Sequence, residues 1–149
     1  MIEVVGDLWE FPADVRVITT NGTVRKNGEC VMGRGCAAEA KRMFPNIAGY
    51  LGDCISRSGN HVHFLVGGTT EVWSFPTKHQ WMEKADPALI YRSAEELRAA
   101  VDERSAVRVV VMPRPGCGNG GLLWKDVRPV IEPILDDRFH VISFGRVCG

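Results

Sequence analysis

Hydrophobic and polar positions along the chain alternate between two kinds of segment. Short runs rich in β-branched and aromatic residues predict strands, and segments with apolar residues at three- and four-residue intervals predict helices. The predicted strands are residues 1–5, 15–19, 61–67, 71–76, 107–112 and 139–144. The predicted helices are residues 35–44, 46–59 and 86–103, followed by an amphipathic segment at 122–137. This interleaving predicts an α/β fold in which helices cover both faces of a sheet.

Local signals refine some of these elements. Asp86 supplies a helix-capping side chain, and Pro87 follows at the first helical position, where proline is well tolerated. The run VRVVVM at 107–112 is almost continuously apolar, which is typical of a strand covered on both faces. The turn at 67–70 predicts a hairpin between the strands on either side of it.

Glycine and proline weaken two of the predicted helices. Gly49 and Gly52 predict that the helix over 46–59 is weak and broken. Pro129 predicts a fresh helical start within 122–137, because proline disrupts the hydrogen bonds of a helix interior.

Length and charge limit the class of protein. A chain of 149 residues with 45% hydrophobic residues is long enough for one buried core, so we expect a single domain over 1–149. Its 18 basic and 18 acidic side chains cancel, so any contact with a polyanion must be local. No stretch approaches the roughly 20 apolar residues of a membrane span, and the start lacks a signal core. We therefore expect a cytoplasmic protein without a membrane partner.

Cysteines and histidines show no metal-binding pattern. The chain contains Cys30, Cys36, Cys54, Cys117 and Cys148. Their odd number and the lack of a CxxC pair argue against a disulfide framework or a zinc cluster, so we expect reduced, mostly buried thiols. His61 and His63 share a face of a predicted strand, but no carboxylate or cysteine joins them at a suitable spacing. Neither a metal nor a cofactor is expected.

Two glycine-bearing segments stand where predicted strands lead into helices. They are NGECVMGRGCAAEA (27–40) and MPRPGCGNGGLLW (112–124). Glycine permits positive φ and close approach, so successive backbone N–H groups can converge on an anion, aided by the positive end of a helix. Ligands of open α/β sheets bind at the carboxyl ends of strands, so the two segments together predict a clamp for a diphosphate.

Neither segment matches a common nucleotide-binding motif. GRGCAA (33–38) fits a loose G-x-G-x-x-A pattern, but a polar stretch separates it from the preceding strand, whereas a Rossmann fingerprint follows its strand directly. PGCGNGG (115–121) lacks the Gly-Lys-Ser/Thr of a Walker loop. A tight turn explains either segment alone, but two at equivalent ends of one sheet favour a binding site.

Several segments, in this order and spacing, resemble the macrodomains, which bind ADP-ribose. They are GDLW (6–9), ITTN (18–21), VMGRGCAAEAKRMFP (31–45) and MPRPGCGNGGLLWKDV (112–127). The resemblance spans Gly6 to Phe144 and implies a three-layer α/β/α sandwich with a central mixed sheet. Within the family, SFPTKHQWMEKAD (74–86) resembles the antitoxin macrodomains that remove ADP-ribose from DNA and the branch of terminal ADP-ribose protein glycohydrolase.

The resemblance implies contacts with both ends of ADP-ribose. Asp7 matches the acidic residue that accepts from the adenine amino group, Leu8 supplies backbone beside it, and Phe144 stands where an aromatic ring often stacks on adenine. Asn21 matches the asparagine that contacts the distal ribose, where an amide can donate and accept. The ordinary alternatives are a turn for Asp7, an Asn-Gly turn for Asn21 and core packing for Phe144.

The glycine-bearing segments correspond to the two phosphate loops of the family. The residues implied there are Gly33, Arg34 and Gly35 in the first and Gly116, Cys117, Gly118, Asn119 and Gly120 in the second. The candidates for a local basic rim that would meet nucleic acid are Arg16, Arg25, Lys26, Arg34 and Arg114.

Lys78 is the candidate catalytic residue, together with Asn21. In the hydrolases that this chain resembles, a lysine of this segment acts at the anomeric carbon of the distal ribose, as a nucleophile or by stabilising the opened sugar. An amine forms a Schiff base only when it is deprotonated, so a catalytic lysine needs a desolvated or cationic setting. An exposed lysine after a strand is the ordinary alternative for Lys78.

Three departures from the family pattern bear on this assignment. Gly120 stands where the glycohydrolases that act on proteins carry an acidic residue, and His79 is a hypothetical replacement proton donor. The segment 122–124 reads Leu-Leu-Trp instead of the usual Leu-Asp-Trp. The loop after Asn21 is longer than usual, through NGTVRKNGEC (21–30), and a hypothesis is that it covers the distal ribose and alters what the site admits.

The leading functional prediction is an ADP-ribosyl hydrolase that removes ADP-ribose from a modified nucleic acid base or protein side chain. Two alternatives stay open: an ADP-ribose 1″-phosphate phosphatase and a non-catalytic module that reads ADP-ribose. The predicted partner is ADP-ribose or an ADP-ribosylated nucleic acid or protein, and the sequence leaves a toxin partner open.

Overall fold

The computed structural model describes residues 1–144, and their strands and helices follow the predicted chain order. The strands are β1 (Ile2–Val5), β2 (Val15–Asn21), β3 (Phe64–Val66), β4 (Glu71–Lys78), β5 (Val110–Pro113) and β6 (Phe139–Ser143). The helices are α1 (Gly35–Met43), α2 (Ile47–Ser58), α3 (Pro87–Asp102) and α4 (Trp124–Ile131), with a short 3₁₀ helix at Gly118–Gly120. None of the helices in this part of the chain is both long and apolar enough to cross a membrane.

The strands form one mixed sheet in the order β1-β6-β5-β2-β4-β3. Neighbouring strands run parallel except β3 and β4, which form the predicted antiparallel hairpin. The carboxyl ends of β6, β5, β2 and β4 therefore lie at one edge of the sheet. The loops that follow these strands meet at that edge, where ligands of α/β folds bind.

Alternate residues of the central strands point into two separate cores. On β2, Val17 packs with Trp73 in the core shared with α3 and α4, whereas Ile18 packs with Val72 in the core shared with α1 and α2. All four side chains are buried. Helices thus cover both faces of the sheet, which confirms the three-layer α/β/α sandwich with a central mixed sheet.

The start of α3 forms as predicted, whereas β5 begins later than predicted. The Asp86 carboxylate accepts a hydrogen bond from the Ala88 N–H at 2.9 Å, and Pro87 is the first helical residue. The strand expected from residue 107 starts at Val110, because the Asp14 carboxylate binds the N–H groups of Arg108 and Val109 at 2.9 Å each. These two bonds hold the pKa of Asp14 below its ordinary value.

The prediction that glycine breaks the second helix is wrong. α2 runs through Gly49 and Gly52 without interruption. Gly49 has open space around it, whereas a Cβ on Gly52 would overlap the carbonyl group of Gly28. Packing of the apolar face of α2 outweighs a propensity cost of about 1 kcal/mol for each glycine.

Pro129 also behaves differently from the prediction, because it lies inside α4 and starts no new helix. Its ring removes only the hydrogen bond that an N–H at this position would make to the Lys125 carbonyl in the first turn. The helix ends at Ile131. Glu132 keeps helical dihedral angles, but Pro133 follows it and has no N–H with which to continue the helix.

His61 and His63 precede β3 instead of lying on it, because β3 starts at Phe64. His61 Nδ1 lies 2.7 Å from Glu96 Oε2, and His63 Nε2 lies 2.9 Å from the Gly59 carbonyl oxygen. Within residues 1–144, no group of His, Cys, Asp or Glu side chains is arranged to hold a metal ion.

The cysteines in the described residues are free thiols. They are Cys30, Cys36, Cys54 and Cys117, and Cys148 lies outside the described residues. Cys30 is buried and the other three are partly buried. Burial raises the pKa of the Cys30 thiol to about 12, and it also raises the pKa of Cys36 and Cys117.

Candidate functional site

A cleft of about 1090 Å³ opens at the carboxyl edge of the sheet. Two loops form its sides: the first loop (residues 22–34) joins β2 to α1, and the second loop (residues 114–123) joins β5 to α4. Because α1 and α4 lie on opposite faces of the sheet, the loops approach the cleft from opposite sides. The two predicted phosphate loops therefore face one space.

The first loop ends at an uncapped helix start. Arg34 is the N-cap residue of α1, but no side chain accepts a hydrogen bond from the first turn, and that turn contains no acidic residue. The residues from Gly33 to Ala38 line the cleft, and Gly35 has a φ of 59°. The unsatisfied N–H groups and the positive end of the helix dipole make this a favourable place for an anion.

The second loop depends on glycine at several positions. Gly116, Gly118 and Gly121 have φ values of 79°, 73° and 77°. A Cβ on Gly116 would lie 2.6 Å from Ile90 Cδ1, whereas the space around Gly118 is open. Both glycines line the cleft, but only Gly116 is also held by the packing of the core.

The two loops meet across the cleft. A Cβ added to Gly35 would lie 3.2 Å from Asn119 Nδ2. Asn119 and Gly35 both line the cleft. A ligand that contacts both loops would therefore be held between main chain on one side and main chain plus the Asn119 amide on the other.

Asn21 and Lys78 are direct neighbours at the ends of β2 and β4. The sheet pairs Thr20 with Pro76 and then Asn21 with Lys78, so Thr77 is the extra residue of a bulge in β4. Both Asn21 and Lys78 line the cleft. A bulge near the end of a strand re-aims the side chains beyond it, and here it places an amine and an amide side by side.

The Asn21 side chain organises the first loop. Its Nδ2 donates to the Val31 carbonyl at 2.9 Å, and its Oδ1 accepts from the Thr23 N–H at 3.0 Å. Asn21 therefore also takes part in the Asn-Gly turn that was its alternative role. Oδ1 also lies 3.9 Å from Cys30 Sγ, so the second N–H of Nδ2 is the position that remains for a ligand among the described contacts.

Lys78 is tied to a turn that contains Trp81. Lys78 Nζ donates to the Trp81 carbonyl oxygen at 3.3 Å, and the Trp81 N–H donates to Thr23 Oγ1 at 3.0 Å. Trp81 and Thr23 both line the cleft. The sequence alone identifies Trp81 only as a neighbour of Lys78, and the spacing Lys-x-x-Trp in a polar turn is the signal that points to it.

The opposite end of the cleft carries Leu8 and Phe144. Leu8 is buried and lines the cleft, and Phe144 lines it with 68% of its surface exposed, which excludes core packing for this ring. β6 and β4 are three strand spacings apart, so the cleft runs about 14 Å from Phe144 to Lys78.

Asp7 is the one predicted ligand residue that does not line the cleft. Its Oδ1 accepts from the Trp9 N–H at 2.7 Å, which is the turn role given as its alternative. Gly6 and Leu8, on either side of it, do line the cleft. The remaining predicted residues all reach the cleft wall: Leu8, Asn21, Gly33, Arg34, Gly35, Lys78, Gly116, Cys117, Gly118, Asn119, Gly120 and Phe144.

The cleft is basic although the chain is neutral. The charged residues that line it within residues 1–144 are Arg25, Arg34, Glu39, Arg42, Lys78 and Arg114. Of the predicted basic rim, Arg16 and Lys26 do not line the cleft. Arg16 instead donates to the carbonyl oxygens of Leu8 and Phe11 at 2.6 Å each and supports the turn after β1. Five cations against one carboxylate favour a ligand that carries several negative charges.

The contacts of His79 do not support the hypothesis that it is a proton donor. Its Nε2 lies 2.8 Å from Asp86 Oδ2, and His79 does not line the cleft. The pair lowers the pKa of Asp86, chiefly through the hydrogen bond from His79 and then through the bond from the Ala88 N–H. His79 thus contributes to the cap of α3.

Comparisons with known proteins agree with this geometry. No family model matches the chain. A curated DNA ADP-ribosyl glycohydrolase from Thermus aquaticus is 31% identical over 138 residues, which covers 88% of this chain and 36% of the relative. The solved macrodomain of Thermus aquaticus DarG superposes with a TM-score of 0.79 at 26% identity, over 97% of both chains.

The chain belongs to the macrodomain family. This macrodomain spans about a third of the length of the curated relatives that it matches. A second solved structure, Thermosipho africanus DarTG in complex with ADP-ribose, matches 92% of this macrodomain and 39% of its own chain, with a TM-score of 0.72 at 21% identity. These findings confirm the family resemblance and the fold that it implied.

Proposed function

We propose that this macrodomain is an ADP-ribosyl hydrolase, which binds ADP-ribose in the cleft and releases it from a modified base of nucleic acid. The observation that carries the proposal is the pairing of Asn21 with Lys78 at one end of a basic cleft whose middle is formed by two glycine loops. The similarity to a DNA ADP-ribosyl glycohydrolase supports a base, rather than a protein side chain, as the carrier.

Binding follows from the order of groups along the cleft. The diphosphate lies between the uncapped start of α1 and the second loop, where backbone N–H groups and arginines face it. Adenine lies toward the exposed ring of Phe144, which offers a stacking surface. The distal ribose then reaches Asn21 and Lys78.

Lys78 acts at the anomeric carbon of the distal ribose. The Lys78 amine attacks this carbon and forms a C–N bond as the bond to the base breaks, and the base leaves with the proton that the amine loses. Opening of the ribose ring gives an imine, which one water hydrolyses to release ADP-ribose and restore the amine. Asn21 orients a ribose hydroxyl, since one N–H of its Nδ2 has no acceptor within residues 1–144.

The test compares two lysine variants on a panel of conjugates. The panel contains ADP-ribosylated single-stranded DNA, ADP-ribosylated glutamate and serine peptides, O-acetyl-ADP-ribose and ADP-ribose 1″-phosphate. We expect Lys78→Ala to lower turnover of the modified DNA by about 100-fold or more, while the affinity for free ADP-ribose changes by less than about threefold. Lys84→Ala is the matched control, because Lys84 is exposed and does not line the cleft.

Each outcome of the panel decides one alternative. Release from peptides but not from DNA would reject the base as carrier. Phosphate release from ADP-ribose 1″-phosphate alone would favour the phosphatase, and binding of ADP-ribose without any turnover would favour a reader. No heat of binding with ADP-ribose at millimolar concentration would reject the proposal as a whole.

We propose a cytoplasmic location for this activity, as the sequence predicts, and a toxin that ADP-ribosylates DNA would supply its substrate. Localisation of the tagged protein by cell fractionation checks the first statement. Co-purification with such a toxin checks the second.

A further inference from the structure

Trp81 differs from the other tryptophans of the chain. Trp9, Trp73 and Trp124 each donate the indole N–H to a carboxylate, at 3.3 Å to Glu39, 3.0 Å to Glu71 and 2.9 Å to Glu3. Among the described residues, the indole N–H of Trp81 has no acceptor. Its side chain is 45% exposed and lines the cleft.

The turn that carries Trp81 is nevertheless well fixed. Its N–H donates to Thr23 Oγ1, and its carbonyl oxygen accepts from Lys78 Nζ. The turn is closed by Glu83, whose N–H donates to the Gln80 carbonyl at 3.1 Å and whose carboxylate accepts from the Gln80 N–H at 2.8 Å. The main chain that carries a large apolar ring is therefore fixed while the ring stays partly exposed, which is the arrangement of a binding surface rather than of a core residue.

The position of the ring relative to Lys78 indicates what it contacts. The Lys78 amine donates to the main-chain carbonyl of Trp81, and both residues line the cleft, so Trp81 lies at the end of the cleft where the distal ribose is proposed to bind. The group attached to the anomeric carbon would lie at the same end. Arg25 lies at the same end of the cleft, two residues after Thr23, and within residues 1–144 no carboxylate lies within ion-pair distance of it.

We propose that Trp81 stacks on the nucleobase that carries the ADP-ribose, and that Arg25 binds a phosphate of the same single strand. This inference rests on the proposed function and names the carrier that the site is built to admit. Aromatic stacking is tolerant of base identity, and the free indole N–H adds a donor for a carbonyl group of the base. A neutral chain can bind a modified strand in this way because only one base and one phosphate need to be held.

The experiment measures equilibrium binding in the Lys78→Ala protein, in which the conjugate survives. The two probes are free ADP-ribose and a single-stranded DNA pentamer with one ADP-ribosylated base. We expect an added Trp81→Ala substitution to weaken pentamer binding about tenfold and to change ADP-ribose binding by less than about twofold. Trp81→Phe should restore most of the affinity, and Trp81→Leu, which keeps apolar bulk without a ring face, should not.

Salt dependence tests Arg25 separately. Arg25→Gln should reduce the slope of log affinity against log salt concentration by about 0.7 for the pentamer and leave the slope for free ADP-ribose unchanged. Lys26→Gln is the matched control, because Lys26 is the next residue and does not line the cleft.

Results that contradict the role of Trp81 can be distinguished from failure of the proposed function. If Trp81→Ala weakens both probes equally, or neither, stacking on the base is rejected while binding of ADP-ribose stands. If Trp81→Ala weakens binding of an ADP-ribosylated peptide as much as that of the pentamer, the site does not select a nucleobase. If the parent protein binds neither probe, the proposed function itself fails.

Discussion

The first and second loops both bring glycines to the cleft, but the glycines serve different purposes. In the second loop, Gly116 is packed against Ile90 and Leu122, so it is needed for the core as well as for the cleft. In the first loop, Gly33 lacks a positive φ, and a Cβ added to it would meet no atom within 4 Å, so nothing in the fold requires it. The space beside Gly33 is left for a ligand.

The first loop is positioned from outside itself. The Gly28 carbonyl rests against Gly52 of α2, and the Cys30 N–H donates to the Ala48 carbonyl at 2.9 Å. The comparison teaches that similar glycine-rich sequences can be fixed by different contacts. The second loop depends on its own Gly116, whereas the first loop depends on Gly52 of a neighbouring helix as well as on its own Gly22, where a Cβ would lie 2.7 Å from the His79 carbonyl oxygen.

The largest effect is expected for Gly52→Ala. The added Cβ would lie 2.9 Å from the Gly28 carbonyl carbon and 3.0 Å from the Cys30 nitrogen, and backbone cannot give way as a flexible side chain can. We expect the free energy of unfolding to fall by about 3 kcal/mol, measured by urea denaturation. Gly49→Ala in the same helix meets no atom and should instead stabilise by about 0.5–1 kcal/mol. Equal effects at the two positions would contradict docking of the first loop through Gly52.

Gly116→Ala should be the next most damaging change. It combines a φ of 79° with approaches of 2.6 Å to Ile90 Cδ1 and 2.9 Å to Leu122 Cδ1, and we expect a loss of about 2 kcal/mol in thermal or urea denaturation. Gly118→Ala shares the positive φ but has open space, so it should lose only about 1 kcal/mol. If both variants lose the same amount, packing against Ile90 is irrelevant to the second loop.

Gly33→Ala tests the first loop at a glycine that the fold itself does not require. We expect its stability to stay within about 0.5 kcal/mol of the parent protein, because the site is unstrained and open. Binding of ADP-ribose, measured by calorimetry, should weaken about tenfold, equivalent to about 1.4 kcal/mol, because the methyl group fills space at the phosphate position. Unchanged binding would mean that the ligand does not approach the first loop at this residue.

The smallest effect concerns one thiol beside each loop. Burial raises the pKa of Cys36 and of Cys117. Hydrogen bonds with Thr19 partly oppose the shift for Cys36, and the charge of Arg114 partly opposes it for Cys117. Only the thiolate reacts, so alkylation by iodoacetamide should be slow at pH 7.5 and should quicken about tenfold for each pH unit up to and beyond pH 9. Cys117 should react faster than Cys36 by less than about tenfold. Mass spectrometry of the labelled peptides gives both rates, and ADP-ribose should slow both; a thiol that reacts fully at neutral pH would contradict its burial.

The features that the sequence predicted correctly are set by residues that lie close together in the chain. The cap formed by Asp86 and the glycine loops depend on neighbours in the chain, and they form as predicted. Continuity of α2 could not be predicted, because it depends on packing of the apolar face of the helix, and the contact with Gly28 that requires glycine at residue 52 exists only in the folded chain. Helix propensity counts glycine only as unfavourable and takes no account of such a contact.

The candidate site likewise contains residues that the sequence predicted and a residue whose role only the structure reveals. The family resemblance led to Asn21 and Lys78, and the sheet register pairs them. The resemblance also led to Asp7, whose carboxylate serves the turn to Trp9. The distinct state of Trp81 becomes visible only when the partners of all four tryptophans are compared in space.

The bulge at Thr77 fixes two parts of the molecule at once. It shifts the register so that Lys78, rather than Thr77, stands opposite Asn21. The Thr77 carbonyl oxygen also accepts from the Asp86 N–H at 2.9 Å, directly before the first residue of α3. The position of Lys78 and the start of the helix are therefore set by the same extra residue, so β4 cannot change its length by one residue without disturbing both.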